Sequence, residues 1–483
     1  MASILNFSRL MTPVLRRARS ALLASVCAAA LLPGAAHAIS LKSAIKIAVE
    51  SNPEVGEAIA NREAQEFELE QAKGLYLPKA DAEARYGRQD YSSPGTRAAG
   101  TDDWHDRREV RGIITQRLFD GHDRRGERYH QAARVDSASH RINERAETVS
   151  LNVVREYITV GRRIDVVRYA DDNIAYHQRI LSDLKEGQTS GSISVADSQQ
   201  AEERLYSAQA RQIELTEDLN SAKIRFYKAV GKPLDSFQQP GSIEALLPKT
   251  LSEAIGIARK GNPIILAEKA DIDAARAMII KARSEYYPKL DLELTGRQGH
   301  DLDGVLGRET EWRAELVMRW NIFKGGIDRA NVQEQVRVTD EERQGLRKAH
   351  REVEESVRLA WERMVQQRRR YARLRDQLAS SERLIESYSE QFKVGDRSLL
   401  DLLDTQNTRF NTQLGVEVAR GALEFAQYRV LAAAGMLLNA LNIEAPTKSV
   451  PYAEAEHGVP DTPDGETERR YTPRTGWYTR RSR

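Results

Sequence analysis

The feature that most constrains this chain is that it contains itself twice. The stretch from Leu41, LKSAIKIAVESNP, returns from Leu251 as LSEAIGIARKGNP. At one fixed offset Ala44/Ala254, Ile45/Ile255, Ala48/Ala258, Asn52/Asn262 and Pro53/Pro263 fall into register, and so do Ala72/Ala282, Tyr76/Tyr286, Pro78/Pro288 and Asp81/Asp291. After small length changes Phe119-Asp120-Gly121 matches Phe323-Lys324-Gly325, Gly187 matches Gly395, and Asp197-Ser198-Gln199 resembles Asp404-Thr405-Gln406. Self-similarity on this scale marks a tandem duplication. The fold must be built from two like halves, 39–240 and 241–445.

Each half alternates two periodicities. Ala138, Ile142, Ala146, Val149, Val153, Tyr157, Val160, Ile164 and Val167 recur at steps of three and four, and Leu346, Val353, Val357, Ala360, Met364, Tyr371, Leu374, Leu378, Ile385, Tyr388 and Phe392 do the same. So narrow an apolar stripe on so charged a helix is a coiled-coil seam rather than the wider face of a globular core. Charged residues make up 30% of the chain and aromatics 6%, with a mean hydropathy of −0.58, as suits long solvated helices. Residues 121–186 and 325–393 are predicted as helices of roughly 100 Å each, and 40–76, 197–230, 251–286 and 400–434 as helices of about half that length. Two half-length helices end to end match one long one. The result is a tall helical cylinder, interrupted at mid-height near Gly231 to Pro248 and beyond Gly435.

Between the helices the period falls to two. Trp312, Ala314, Leu316, Met318, Trp320 and Ile322 alternate with Arg313, Glu315, Arg319 and Asn321, and Leu290, Leu292 and Leu294 alternate with Asp291, Glu293 and Thr295. Weaker counterparts occupy 79–86 and 110–118. Strands with one apolar and one charged face fit a membrane barrel, apolar side to lipid and polar side to a wet lumen. Pro78 and Pro288 mark the helix-to-strand breaks. Two hairpins, 79–119 and 289–323, give four strands per chain. Lipid allows no open sheet edge and small barrels need about eight strands, so several copies must share one barrel.

The ends carry other information. Residues 1–38 read as a signal peptide: Arg16, Arg17 and Arg19, the apolar run Ala21 to Leu32, Pro33-Gly34, then Ala36-His37-Ala38. The single cysteine, Cys27, lies inside it and follows Val26 rather than a small residue, which argues against lipidation. Residues 446–483 are polar and end basic, and are predicted to be a disordered tail. Beyond residue 38 no apolar run approaches 18 residues, and 73 Lys+Arg nearly balance 71 Asp+Glu, so neither a helical membrane protein nor a nucleic-acid binder is indicated. The chain has no H-x-x-x-H beside a glutamate, no GxxxxGK loop and no G-x-S-x-G elbow. It therefore offers no catalytic, metal or cofactor site.

The duplicated A-I-x-x-A…N-P opening, Tyr76-Leu77-Pro78 and Tyr286-Tyr287-Pro288, the Phe-x-Gly strand exits and FKVGDRSLLDLLDTQN from Phe392 together resemble the TolC family of outer-membrane factors. The resemblance covers nearly the whole chain after the leader. It implies a homotrimer with a long coiled-coil α-barrel and a shared 12-stranded β-barrel, located in the outer membrane with a periplasmic extension. It also implies docking onto a periplasmic adaptor and an inner-membrane ABC or other transporter. Carried over by position, a periplasmic gate would comprise Arg397, Asp401, Asp404 and Asp197, with Gly187 and Gly395 at adaptor-facing tips. Asp401 and Asp404 are three apart on one helix face, so a trimer would gather six carboxylates around its axis. The plainer alternative is that these are helix-start carboxylates favoured by the helix dipole. The expected function is an exit duct for type I protein secretion, the alternative being multidrug or metal efflux. A soluble periplasmic coiled-coil scaffold is the competitor from another class.

Overall fold

The computed structural model describes residues 39–189 and 194–463. The expected signal peptide and the last twenty residues lie outside the described residues. Two helices dominate: α4 (Asp123–Thr189) and α8 (Ile327–Lys393), each of 67 residues and so about 100 Å long. Of the seam positions read from the sequence, Ile142, Ala146, Val153, Tyr157 and Val160 are inaccessible on α4, and Val357 and Ala360 on α8, whereas the later α8 positions from Tyr371 to Phe392 are half-buried.

The segments expected as single half-length helices at 40–76 and 251–286 are each broken in two. α1 (Leu41–Ser51) and α2 (Pro53–Gly74) meet at Asn52-Pro53; α6 (Leu251–Gly261) and α7 (Pro263–Arg283) meet at Asn262-Pro263. Proline disfavours helical backbone in the residue before it and is itself well placed at a first helical position. Each asparagine is accordingly extended and caps the new helix, its Oδ1 accepting from the amide of Glu54 (2.9 Å) or Ile264 (3.0 Å). Its Nδ2 donates to the end of another helix: Asn52 to Ala229 O (3.3 Å) at the close of α5 (Val195–Val230), and Asn262 to Ala433 O (3.1 Å) at the close of α9 (Leu399–Ala433). The repeated Asn-Pro is therefore a splice that stacks α2 on α5 and α7 on α9. Around these splices, at mid-height, sits a large apolar core that includes Ile45, Tyr157, Phe226, Leu431 and Leu437.

The chain forms four columns side by side: α5/α2, α4, α9/α7 and α8, each long helix packed against its stacked neighbours. The strands continue the columns in the same order. β1 (Lys79–Asp90), β2 (Trp104–Phe119), β3 (Lys289–Leu302) and β4 (Val305–Arg319) make one antiparallel sheet in sequence order. A six-residue helix α3 (Pro94–Ala99) fills the β1–β2 connection. Strand exits need tight turns: Gly121 has φ +67, and a Cβ there would stand 2.7 Å from both Ser284 O and Tyr287 Cβ. Its repeat partner Gly325 has φ +62.

The tail expectation is corrected for residues 446–463. After the short helix α10 (Leu437–Ala440), they run along α2, α4 and α7 through a 3₁₀ turn at Thr447–Ser449 and α11 (Ala453–His457). Asp136 on α4 holds this segment by accepting from the amides of Tyr452 (2.8 Å), Ala453 (2.9 Å) and Glu454 (2.8 Å). Ala453 is fully buried. Polar composition concealed a segment whose main attachment is backbone to side chain.

Candidate gate and membrane barrel

At the end of the columns far from the sheet, α8 turns into α9 through Gly395 (φ +80). The Gly395 amide donates to Phe392 O (3.0 Å) and that of Asp396 to Gln391 O (2.9 Å), closing the helix in the left-handed manner glycine allows. Ser398 then caps α9: its Oγ accepts from the Asp401 amide (3.2 Å) and donates to Asp401 Oδ2 (2.9 Å). Ser194 and Asp197 repeat this arrangement at the start of α5, at 3.1 and 2.8 Å. Equal helix lengths put the two tips in register 204 residues apart, pairing Ser194 with Ser398 and Asp197 with Asp401.

That register corrects two expectations. Asp197 corresponds to Asp401 rather than Asp404. Gly187 is not at a turn: α4 runs through it to Thr189, whose Oγ1 donates back to Lys185 O (2.9 Å). One glycine costs a helix about 1 kcal/mol, too little to stop one of this length. The position matching Gly395 is Gly191, which lies with 190–193 outside the described residues.

Of the expected gate residues, the structure brings Arg397 and Asp401 only to 3.9 Å. The Arg397 guanidinium lies 4.5 Å from the Tyr388 ring centroid, and its Nε donates to Gln391 Oε1 (2.9 Å). Asp404 has a different partner, Arg204 of α5, at 3.1 Å. Sequence reasoning missed Arg204; the only available signal was its place on the facing helix of the duplicated tip. Beneath this pair, Leu181, Leu184, Ala201, Leu205, Leu399 and Leu403 form an apolar cluster joining α4, α5 and α9. Both ion-paired groups are substantially exposed, and such pairs contribute only about 0–1 kcal/mol. The apolar cluster thus joins the two hairpins as well as packing each one, and the exposed ion pair adds only a weak polar contact between them at the tip.

At the opposite end the sheet separates its two faces. One face is apolar and carries Leu290, Leu292 and Leu294 opposite Met318, Leu316 and Ala314, with Ile114 and Ala80 continuing the row. The other face is charged and internally paired. Arg297 lies within 4.0 Å of carboxylates on Glu109, Asp303, Glu309 and Glu311, while Arg319 reaches Asp291 (3.1 Å) and Glu293 (2.7 Å). Pro78 and Pro288 stand one residue ahead of β1 and β3. Exposed Tyr76, Tyr286, Tyr287, Trp320 and Phe323 gather at that junction, where aromatic side chains favour a membrane interface. Between them Glu285 accepts from Lys289 (2.7 Å) and Lys324 (2.5 Å), which hold its carboxyl down at about 2. No helix among the described residues is long and apolar enough to cross a membrane.

The profile of the family described as Outer membrane efflux protein matches residues 44–232 and 254–436, once on each half. The outer membrane efflux protein BepC of Brucella suis biovar 1 (strain 1330) is 24% identical over 419 residues, 85% of this chain and 90% of BepC. The outer membrane protein TolC of Escherichia coli (strain K12) is 23% identical over 436 residues, 86% of each chain. The solved transmembrane channel CusC superposes with a TM-score of 0.72 at 15% identity, covering 82% of this chain and 92% of CusC. Channels of this family act as trimers with adaptor proteins and are not enzymes. With two family repeats, a split-faced sheet and a helical extension of about 100 Å, the chain belongs to the outer membrane efflux protein family: it is a TolC-like outer-membrane channel of tripartite export systems, with its helices in the periplasm.

Proposed function

We propose that three copies of this chain close into one duct that is shut at its periplasmic tip by weak ion pairs and opened by an adaptor docking at the tip turns. The observation that carries the reading is the four-column wall with two unfinished sides. On one side α2 and α5 expose Phe67, Tyr206, Ile213 and Ile224, and on the other α8 exposes Leu359 and Leu384. A neighbouring copy covers both, and three sheets of four strands make a 12-stranded barrel.

The gate comprises Asp404 with Arg204, and Asp401 with Arg397; Asp197 repeats the cap of Asp401. Gly395 is the described adaptor-facing turn. In planar-bilayer recordings Asp404→Ala and Arg204→Ala each raise conductance, and the double substitution raises it no further than either alone. Wild-type conductance in both single variants would remove the pair from the latch. Asp401→Ala with Asp404→Ala lowers cation preference, because it removes six carboxylates from one axis.

For the cargo we propose polypeptide, in type I secretion through an inner-membrane ABC transporter. The support is the leader, in which Val26 precedes Cys27, against the N-terminal lipidation expected of many efflux-dedicated channels. The likeness to BepC, an efflux protein, favours drug or metal efflux as the second reading. A strain lacking this chain distinguishes them: loss of a secreted polypeptide with unchanged drug and metal tolerance supports the first, and the reverse pattern the second.

A further inference from the structure

The two faces of the sheet treat their arginines differently. On the charged face most arginines have a carboxylate, Arg107 with Glu109 (2.6 Å), Arg85 with Glu83 (2.8 Å), Arg297 with Glu309 (3.3 Å) and Arg313 with Glu311 (2.5 Å), while Arg111 among them makes no ion pair among the described residues and acts on Glu311 only at longer range. On the apolar face one register row crosses all four strands as Tyr86, Arg108, His300 and Arg308. All four are exposed. Neither Arg108 nor Arg308 makes an ion pair among the described residues. Arg108 lies 5.8 Å from the Tyr86 ring centroid, and Arg308 Nε donates to the Gln298 amide oxygen (2.9 Å) when that amide is oriented toward it. His300 pairs with Asp301 (3.0 Å), and the Asp106 carboxylate on this face is taken by Arg88 (3.4 Å).

Height gives the row its meaning. Ten residues separate Leu290 from His300, which at ~3.3 Å per residue and a strand tilt of ~40° is about 25 Å along the barrel axis, the height of the apolar band of such barrels. Leu290 sits next to the periplasmic aromatic cluster, so the basic row stands at the outer headgroup level, facing lipid. Below it the face turns apolar and lacks bulk. Gly112 and Gly296 are register neighbours, and the Trp312 indole lies over Gly296, 2.6 Å from where a Cβ would be. A groove of about 730 Å³ runs there between Val110, Ile114, Leu294 and Trp312.

We propose that this face binds a phosphorylated, multiply acylated glycolipid of the outer leaflet, its phosphate on Arg108 and Arg308 and an acyl chain along the Gly112–Gly296 groove. Strands are ~4.8 Å apart, so these arginines stand about 10 Å from each other across β3, a spacing from which both can reach one headgroup. Arginine suits the role because its fork matches phosphate oxygens and stays charged. Closure by three copies would set three such sites around the barrel.

The test is native mass spectrometry of the detergent-purified oligomer titrated with a bisphosphorylated, acylated diglucosamine lipid, or with its dephosphorylated counterpart bearing the same chains. Wild type retains the phosphorylated lipid at least about tenfold better; R108Q/R308Q loses that preference while keeping its oligomeric mass and conductance, and R108K/R308K keeps part of it. Equal retention of the two lipids by wild type, or an undiminished preference in R108Q/R308Q, overturns the proposal. Displacement of the lipid by millimolar inorganic phosphate also overturns it, since the site would then be one for anions rather than for lipid.

Discussion

At the scale of single residues, the chain repeats its most informative side chains, and the repeats differ enough to be tested. Asn52 and Asn262 make the same two bonds, but Asn262 is 5% exposed and Asn52 is half-buried. Replacing a capping asparagine by alanine costs about 1 kcal/mol, and a buried carbonyl left without its donor costs about 1–3 kcal/mol more. Asn262→Ala should therefore lower unfolding stability by roughly 2–4 kcal/mol, and Asn52→Ala by less, both read from denaturant midpoints; equal losses would mean that burial of the splice is irrelevant. Glu147 supplies a pH signature. Its carboxyl accepts from the amides of Leu437 (3.1 Å) and Leu438 (3.0 Å), yet burial outweighs these bonds and pushes it up to about 7. Because the folded chain holds this proton more tightly than the unfolded chain does, stability falls as pH rises from the ordinary 4.5 to about 7, by roughly 3 kcal/mol in total. Glu147→Gln should flatten that slope between pH 5 and 8, and an unchanged slope would assign the titration elsewhere.

At the scale of elements, the long helices and the four strands were legible because their apolar positions recur over many turns, and periodicity is what a sequence states most redundantly. The splices were not. The three-four pattern of Ile45, Ala48 and Val55 runs straight through Asn52, so the break depends on one proline's effect on its predecessor. The tip was half legible: the Ser-x-x-Asp caps are local and readable, whereas Asp404 meets Arg204 across 200 residues of sequence. The docked segment 446–463 was not legible, because three of its backbone amides converge on one carboxylate and no composition encodes that. It is nonetheless testable as an element. Asp136→Ala removes three charge-assisted bonds, each contributing about 1.5–3 kcal/mol, so the amides of Tyr452, Ala453 and Glu454 should exchange with solvent at least about tenfold faster while those of β1–β4 keep their protection. Unchanged exchange at these three positions would mean that the segment is held by its apolar contacts alone.

At the scale of the whole molecule, helical wall and sheet share one incompleteness. β1 pairs only with β2 and β4 only with β3, so two strands end in unsatisfied backbone groups that water tolerates and lipid does not, at several kcal/mol for each unsatisfied group. The exposed stripe on α2 and α5 faces the same side of the chain as the β1 edge, because both lie in the first column. Closing the sheet and covering the stripe are therefore one event, and neither half of the interface has a stable use without the other. The consequence is thermodynamic coupling between assembly and barrel structure. Heating the purified protein in lipid should abolish the β-sheet infrared band and the cross-linkable oligomer in one transition, whose midpoint falls as the protein is diluted in the bilayer. Truncating Ile213 and Ile224 to alanine, far from any strand, should lower the midpoint of both signals together. A β-sheet band that outlives the oligomer, or a stripe variant that loosens the helices while the sheet melts as before, would show that the four-strand sheet satisfies its edges within a single chain.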